Sequence, residues 1–320
     1  MPVMGFAEGE NTLHIKQLEL NGILWINIES PTSNETDFLA QSYSFHHLDL
    51  DDCLSRIQRP KVDEYEEYLF IVMHFPLFKK DARVTVPNQL SIFIGENYLI
   101  TLHSGELKPL VKLFRDCELH GQARRENMPS PGYLLYRIVD RLVDYCLPIL
   151  GKIMENIEQV EDDLFSNRRV RETVYDLSVL RRDIISFRRI VWPMRAVVAS
   201  LERRTNRFTN EDMAAYWGDV VDHVDKIWDT LDECKEIIEG LNDTSSSLYS
   251  FRTNEVIRVL TVISTIMLPL TVVTGFMGMN IPLPGEAGGV ANWIPFSVLL
   301  ATMLVVIVGM LSFFHRRHWI

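Results

Sequence analysis

The chain has 320 residues, with 43 acidic and 32 basic side chains and a formal charge of −11. That length allows one large domain or two ordinary ones, and the acidic balance argues against a nucleic-acid binder, which needs Lys and Arg to neutralise phosphate. Hydrophobic residues at 47% and charged residues at 23% exclude a disordered chain, and four scattered cysteines without CxxC spacing (Cys53, Cys117, Cys146, Cys234) point to a reducing compartment rather than a disulfide framework or a cysteine zinc site.

Met1–Asn11 has no apolar core, so no signal peptide is expected. Residues 1–125 read as mixed α/β. Ile23–Ile28, Leu69–Phe75, Gln89–Ile94 and Tyr98–His103 are short β-rich runs, the last two joined by Gly95-Glu96-Asn97, a hairpin signal. Helical patterns cover Thr36–Ser44 and Leu48–Leu54. From Pro131 the pattern turns helical and stays so, with one long helix expected over 132–165 and a second over 169–203.

A third helix is announced by Thr209 and Asp212 as a capping-box start. Apolar or small residues then recur at spacings of four and three: Met213, Trp217, Val220, Val224, Ile227, Leu231, Cys234, Ile238, Leu241, Ser245 and Leu248. Such a heptad seam marks a helix that packs against others. Nothing breaks the pattern before the 21 uncharged residues of Val259–Met279, and Ile294–Phe314 is a second uncharged stretch of that length. About 20 apolar residues cross a bilayer, so two C-terminal spans are expected. A continuous helix over 211–279 would be roughly 100 Å long. Arg252 and Arg258 precede the first span, Arg316 and Arg317 follow the second, and Ile281–Trp293 between them has no Lys or Arg. Both chain ends are therefore expected in the cytoplasm.

The long helix carries a second stripe. Asp222, Asp225, Asp229, Asp232, Glu236, Glu239 and Asp243 fall at spacings of three and four, and Ser247, Ser250, Asn254, Ile257, Thr261, Ser264, Leu268, Thr271, Gly275 and Gly278 continue it. The bland readings are a solvated coiled-coil face followed by a helix–helix contact of small residues. The continuity of the stripe favours an acidic vestibule that concentrates cations and feeds a pore. Two spans cannot enclose water, so a pore requires several copies around an axis.

Gly278-Met279-Asn280 at the outer end of the first span resembles the signature of the CorA family of divalent-cation channels. Leu50-Asp51-Asp52-Cys53-Leu54, Gln58-Arg59-Pro60-Lys61-Val62 and Tyr68-Leu69-Phe70 look like its N-terminal block, and Thr253-Asn254-Glu255-Val256 with Pro269-Leu270-Thr271 like its pore-helix block. The resemblance implies a funnel-shaped homopentamer: an α+β cytoplasmic domain (1–125), a long-helix stalk (126–258), a pore helix (259–279), an outer loop (280–293), a second transmembrane helix (294–314) and a basic cytoplasmic tail (315–320). It implies an inner (plasma) membrane setting, passive entry of magnesium with cobalt or nickel as further cargo, and no organic cofactor. Asp52 and Asp219 match its regulatory magnesium-binding acids, Asp243 its acid at the cytoplasmic pore mouth, Asn254 its polar ring and Asn280 its selectivity asparagine. Ile257, Leu260 and Leu268 are expected to form an apolar constriction that closes by dewetting, with Thr261, Ser264 and Thr271 also facing the pore.

The family usually has an aromatic residue before Gly-Met-Asn, whereas this chain has Met277, and its outer loop is glycine-rich with Glu286 as the one acid. Both departures bear on ion preference at the mouth. Two rival readings remain: a proton-coupled zinc transporter of a related branch, and a non-conducting membrane-anchored metal sensor. An enzyme is not expected. His46-His47 and His315/His318 lack the HExxH spacing, and no GxSxG or GxxxxGK[ST] motif is present.

Overall fold

The computed structural model describes residues 14–55, 58–166, 170–209, 211–279 and 293–319. They divide into two compact units, Met1–Asn242 and Asp243–Ile320.

The first unit is built on a six-stranded sheet. Strands β1 (Ile15–Leu20) and β2 (Ile23–Glu29) form a hairpin. Its two-residue turn, Asn21-Gly22, has positive φ at both positions, 53° and 84°, the mirror-image turn that matches strand twist. Strands β3 (Lys61–Glu64), β4 (Tyr68–Lys79), β5 (Val84–Gly95) and β6 (Tyr98–His103) run antiparallel in succession. Strand β2 joins them by pairing parallel with β6, giving the order β1-β2-β6-β5-β4-β3. The four strand runs legible in the sequence are all present; β1 and β3 are additional.

Helices α1 (Ser33–Ser42) and α2 (His47–Leu54) connect β2 to β3. The first starts with a capping box: the Thr32 side chain accepts from the helix backbone, and Thr32 N donates to Glu35 Oε2 at 2.8 Å. Leu39, Leu50 and Cys53 from these two helices pack on Ile26, Ile28, Phe70, Val72, Phe93, Ile100 and Leu102 of the sheet. The alternate strand residues Trp25, Leu69, Ile71, Met73, Ile92 and Leu99 are also buried, on the opposite sheet face. Trp25 there meets Phe114 edge-on at 4.9 Å.

Phe114 belongs to α3 (Lys108–Leu119), which with α4 (Gly121–Asn127) occupies a stretch the sequence pattern did not mark as helical. The helix expected over 132–165 is two, α5 (Pro131–Asp144) and α6 (Cys146–Ser166). The break at Tyr145 has a local cause, because Pro148 offers no N–H to the Asp144 carbonyl one turn earlier. Helix α7 (Val170–Thr205) packs along β4 and β5 and is tied to β5 where Thr85 N donates to Asp183 Oδ1 at 2.5 Å.

Helix α8 (Ala214–Met277) is one helix of 64 residues. It begins three residues later than the expected 211, and Asp212 Oδ1 accepts from Ala214 N at 3.0 Å, so Asp212 caps this helix where a Thr209 cap was expected. The heptad seam behaves as its spacing predicts, with every member from Met213 to Ser245 buried. In the second unit, the end of α8 and helix α9 (Trp293–Arg316) are, among the described residues, the two segments long and apolar enough to cross a membrane. All four cysteines are free and buried.

Candidate ion sites and pore-lining face

Asp52 sits on α2, whose start is capped by His46: its Nδ1 accepts from Leu48 N at 3.3 Å. That accounts for one half of the His46-His47 pair as a helix-start feature. The helix is fixed to the sheet by Tyr68, whose hydroxyl donates to the buried Asp49 Oδ2 at 3.0 Å, and by Gln89 Nε2, which donates to the Asp52 carbonyl at 2.9 Å. The Asp52 carboxylate, 17% exposed, is bound by Lys61 Nζ at 2.7 Å, and Lys61 also reaches Asp63 Oδ2 at 2.5 Å. Burial works against the lysine's charge, but the hydrogen bonds and charges of Asp52 and Asp63 outweigh it and raise its pKa above the ordinary value.

Asp219 lies on α8, 61% exposed, one turn before His223, with Oδ1 at 3.9 Å from His223 Nε2. The other imidazole nitrogen, Nδ1, is 3.6 Å from Asp144 Oδ1 on α5, beyond hydrogen-bond reach, and has no hydrogen-bond partner. Asp140, Asp144 and His223 offer ligand atoms that all lie within 4.8 Å of one another. Burial first, then the charge of Asp144, raises the Asp140 pKa, although Arg137 pairs with it at 3.2 Å. Two carboxylates and an imidazole suit a divalent cation, and the nitrogen donor suits first-row transition ions better than magnesium. This cluster was missed in the sequence. Its trace there is the i, i+4 spacing of Asp140 and Asp144. Within one chain Asp52 and Asp219 have separate partners.

The acidic stripe of α8 is not uniform. Arg181 lies 4.0 Å from Glu239, Arg188 2.6 Å from Asp232 and Arg195 2.6 Å from Asp225. Each step of seven residues forward on α7 is matched by seven backward on α8, so the two helices run antiparallel with a ladder of charge at heptad spacing. Asp225, Asp232 and Glu239 thus belong to the contact between helices, which corrects their reading as a free vestibule. Among the described residues, Asp222, Asp229 and Glu236 have no ion pair.

In the second unit Asp243, Asn254, Ile257, Leu260, Thr261, Ser264, Leu268 and Thr271 are all exposed, while Val262 and Leu270 are buried. At about 100° per residue, Thr271 is half a revolution from Val262, so this part of α8 has one covered face and one bare face, and the stripe residues occupy the bare one. The Thr261 and Thr271 hydroxyls donate to the Ile257 and Met267 carbonyls at 2.7 and 2.8 Å, which leaves their oxygen lone pairs as acceptors. Gly278 and Met279 form the turn after the helix, with Gly278 N donating to Thr274 O at 3.0 Å. Asn280 lies outside the described residues.

A family model described as CorA-like Mg2+ transporter protein matches residues 21–316. The chain is 33% identical over 301 residues to the cobalt/magnesium transport protein CorA of Thermotoga maritima, a match covering 92% of this chain and 83% of that one. The complete structure of the CorA magnesium transporter from Methanocaldococcus jannaschii superposes with a TM-score of 0.80 at 25% identity, covering 95% of this chain and 93% of the other. The full-length CmaX structure shares the fold, with a TM-score of 0.68 at 20% identity over 93% of this chain and 89% of that one.

Proposed function

The chain belongs to the CorA-like Mg2+ transporter family, whose members are divalent-cation transporters rather than enzymes, and from that premise we propose that it is a magnesium channel of the inner (plasma) membrane. Cobalt and nickel are further cargo. Five copies surround a central lumen as a funnel, with both termini of each in the cytoplasm. Residues 1–125 and 126–258 make the cytoplasmic domain and stalk, 259–279 the pore helix, 280–293 the outer loop, 294–314 the second span and 315–320 the basic tail.

The observation that carries this reading is the two-faced end of α8. A face of Thr261, Ser264 and Thr271 left bare at membrane depth is tolerated when it lines a water-filled path, and Asn254 continues that face into the stalk. Ile257, Leu260 and Leu268 share that face and narrow it with an apolar ring. Gly278, Met279 and Asn280 stand at the outer mouth. Magnesium sheds its waters reluctantly, and a ring of Asn280 side chains can hold the hydrated ion through its waters. Asp243 concentrates cations at the inner mouth. A divalent ion gains about 4.6 kcal/mol moving inward through 100 mV, twice the value for one charge, so influx needs no ATP.

Regulation uses Asp52 of one copy and Asp219 of its neighbour. Because these acids have separate partners within a chain, an ion that bridges them clamps two copies. Magnesium then binds the closed assembly better and shifts the population toward it.

The test is flux into vesicles reconstituted with the full chain, comparing magnesium, cobalt, nickel and zinc with and without a proton gradient. Voltage-driven magnesium entry that ignores the pH gradient is expected, and Asn280→Ala abolishes it while the assembly stays intact. No flux of any ion returns the molecule to a membrane-anchored sensor. Zinc flux accelerated by protons makes it a carrier.

A further inference from the structure

Helix α7 is basic in an acidic protein, and one stretch of it opens onto a cleft of about 970 Å³ shared with α8 and residues 58–60, a volume typical of small-molecule sites. Four guanidiniums line it: Arg59, Arg188, Arg189 and Arg195. Arg188 and Arg195 are balanced by Asp232 and Asp225. Arg59 and Arg189 are exposed and have no ion pair among the described residues, so the cleft keeps an excess of two positive charges. Arg188 Nε is buried and donates to no group.

Two indoles complete the lining. Trp228 lies under the Arg188 guanidinium at 4.7 Å. Trp192, with its ring centroid 4.9 Å from that of Trp228, is 59% exposed. A flat aromatic surface left in water beside uncompensated guanidiniums has a specific chemical complement. Guanidinium forks bind phosphate oxygens in pairs, and nucleobases stack on aromatic rings whatever their sequence of substituents.

We propose that this cleft binds a nucleoside di- or triphosphate, with the base on Trp192 and the phosphates on Arg59 and Arg189. A simple inorganic anion would leave the indole uncovered, and a cation would meet the wrong sign. The phosphate chain competes with Asp225 and Asp232 for Arg195 and Arg188, so binding loosens the charge ladder between α7 and α8. The site stands on the first unit alone and does not depend on how ions cross the membrane.

The experiment is equilibrium titration of the full chain in lipid nanodiscs with ATP, adenosine and inorganic triphosphate, in EDTA so that divalent ions do not bridge ligand and protein. Tryptophan fluorescence and titration calorimetry give the readout. Saturable ATP binding is expected, weaker for triphosphate and weaker still for adenosine. The double variant Arg59→Gln/Arg189→Gln is expected to lose at least tenfold in ATP affinity, with an unchanged circular dichroism spectrum and assembled size because both side chains are exposed. Trp192→Leu removes ATP's advantage over triphosphate. Absence of saturable ATP binding, a double variant that binds like the parent, or triphosphate binding as tightly as ATP overturns the proposal. So does Trp192 shielded from a neutral quencher in the ligand-free protein, which would mean that a second copy covers the cleft.

Discussion

Lys61 Nζ lies 2.7 Å from Asp52 Oδ2, so the carboxylate assigned to a regulatory ion already has a cation on it. Magnesium and the ammonium compete for the same oxygens. A partly exposed pair of this kind contributes about 1 kcal/mol. Lys61→Met removes the competitor, together with the ammonium's contact over the Phe70 ring at 5.3 Å. The expected result is a roughly fivefold lower magnesium concentration for protection against proteolysis of the assembled protein. Unchanged protection means that Asp52 does not meet the ion.

Asp219 is the more solvated of the two acids, held only loosely by His223 at 3.9 Å. Removing it costs little folding energy, because an exposed charge leaves no buried partner behind. Asp219→Ala is therefore expected to fold normally and to need about tenfold more magnesium for the same protection, in keeping with the loss of one charged ligand. If the double variant with Asp52→Ala keeps the parent's magnesium protection, the regulatory assignment is refuted.

The pairing of Arg188 with Asp232 is measurable by a double-mutant cycle. Both side chains keep contact with water, at 21% and 46% exposure, so the coupling expected is about 0.5–1 kcal/mol and not the larger value of a buried pair. It should shrink at 1 M salt, where the screening length falls to about 3 Å. A coupling that survives salt would show a close, directional hydrogen bond between the two side chains rather than a screened charge pair.

His103 sets a pH dependence. Burial lowers its pKa from 6.5 to about 4. Its neutral ring is used at both nitrogens: Nδ1 accepts from Gly105 N at 3.0 Å, and Nε2 lies 3.0 Å from Asn27 Oδ1. Above pH 6.5 folded and unfolded chains both hold it neutral, and its contribution is constant. Between 6.5 and 4 the unfolded chain takes a proton that the folded one refuses, so stability falls with pH by up to about 3 kcal/mol. The melting temperature of the parent in detergent is expected to drop across that window relative to its value at pH 7. His103→Gln should lower the melting temperature at pH 7 and flatten the slope. Parallel curves for the two would place the acid sensitivity elsewhere.

Much of this architecture is legible in periodicity. The seam from Met213 to Ser245 is buried as its spacing requires, because a heptad pattern has one way to face a neighbouring helix. The short strands were legible where β-branched and aromatic residues cluster. Strand β1 has no such cluster, although the Asn21-Gly22 turn that creates it is visible in the sequence. The break near Tyr145 was equally visible, in Pro148. Tertiary register was not. Arg181, Arg188 and Arg195 recur every seven residues, yet which acids they meet depends on how α7 lies against α8. The grouping of Asp140 and Asp144 with His223 depends likewise on α5 meeting α8, and Lys61 reaching Asp52 depends on β3 passing beside α2.

The parallel seam between β2 and β6 has a kinetic consequence. Every other strand pairing in the sheet joins sequence neighbours, whereas Leu24 pairs with Tyr98 and Glu29 with His103. Closing so long a loop is entropically costly and slow relative to forming hairpins. During synthesis the β1–β2 hairpin leaves the ribosome before β6 and must wait for His103 to complete its pairing and for Phe114 to cover Trp25. Pulse-labelled amide exchange during refolding should show protection of β4–β6 before that of β1 and β2, and the reverse order would remove this asymmetry. The strands of the sheet that are made first are thus the last to find their place.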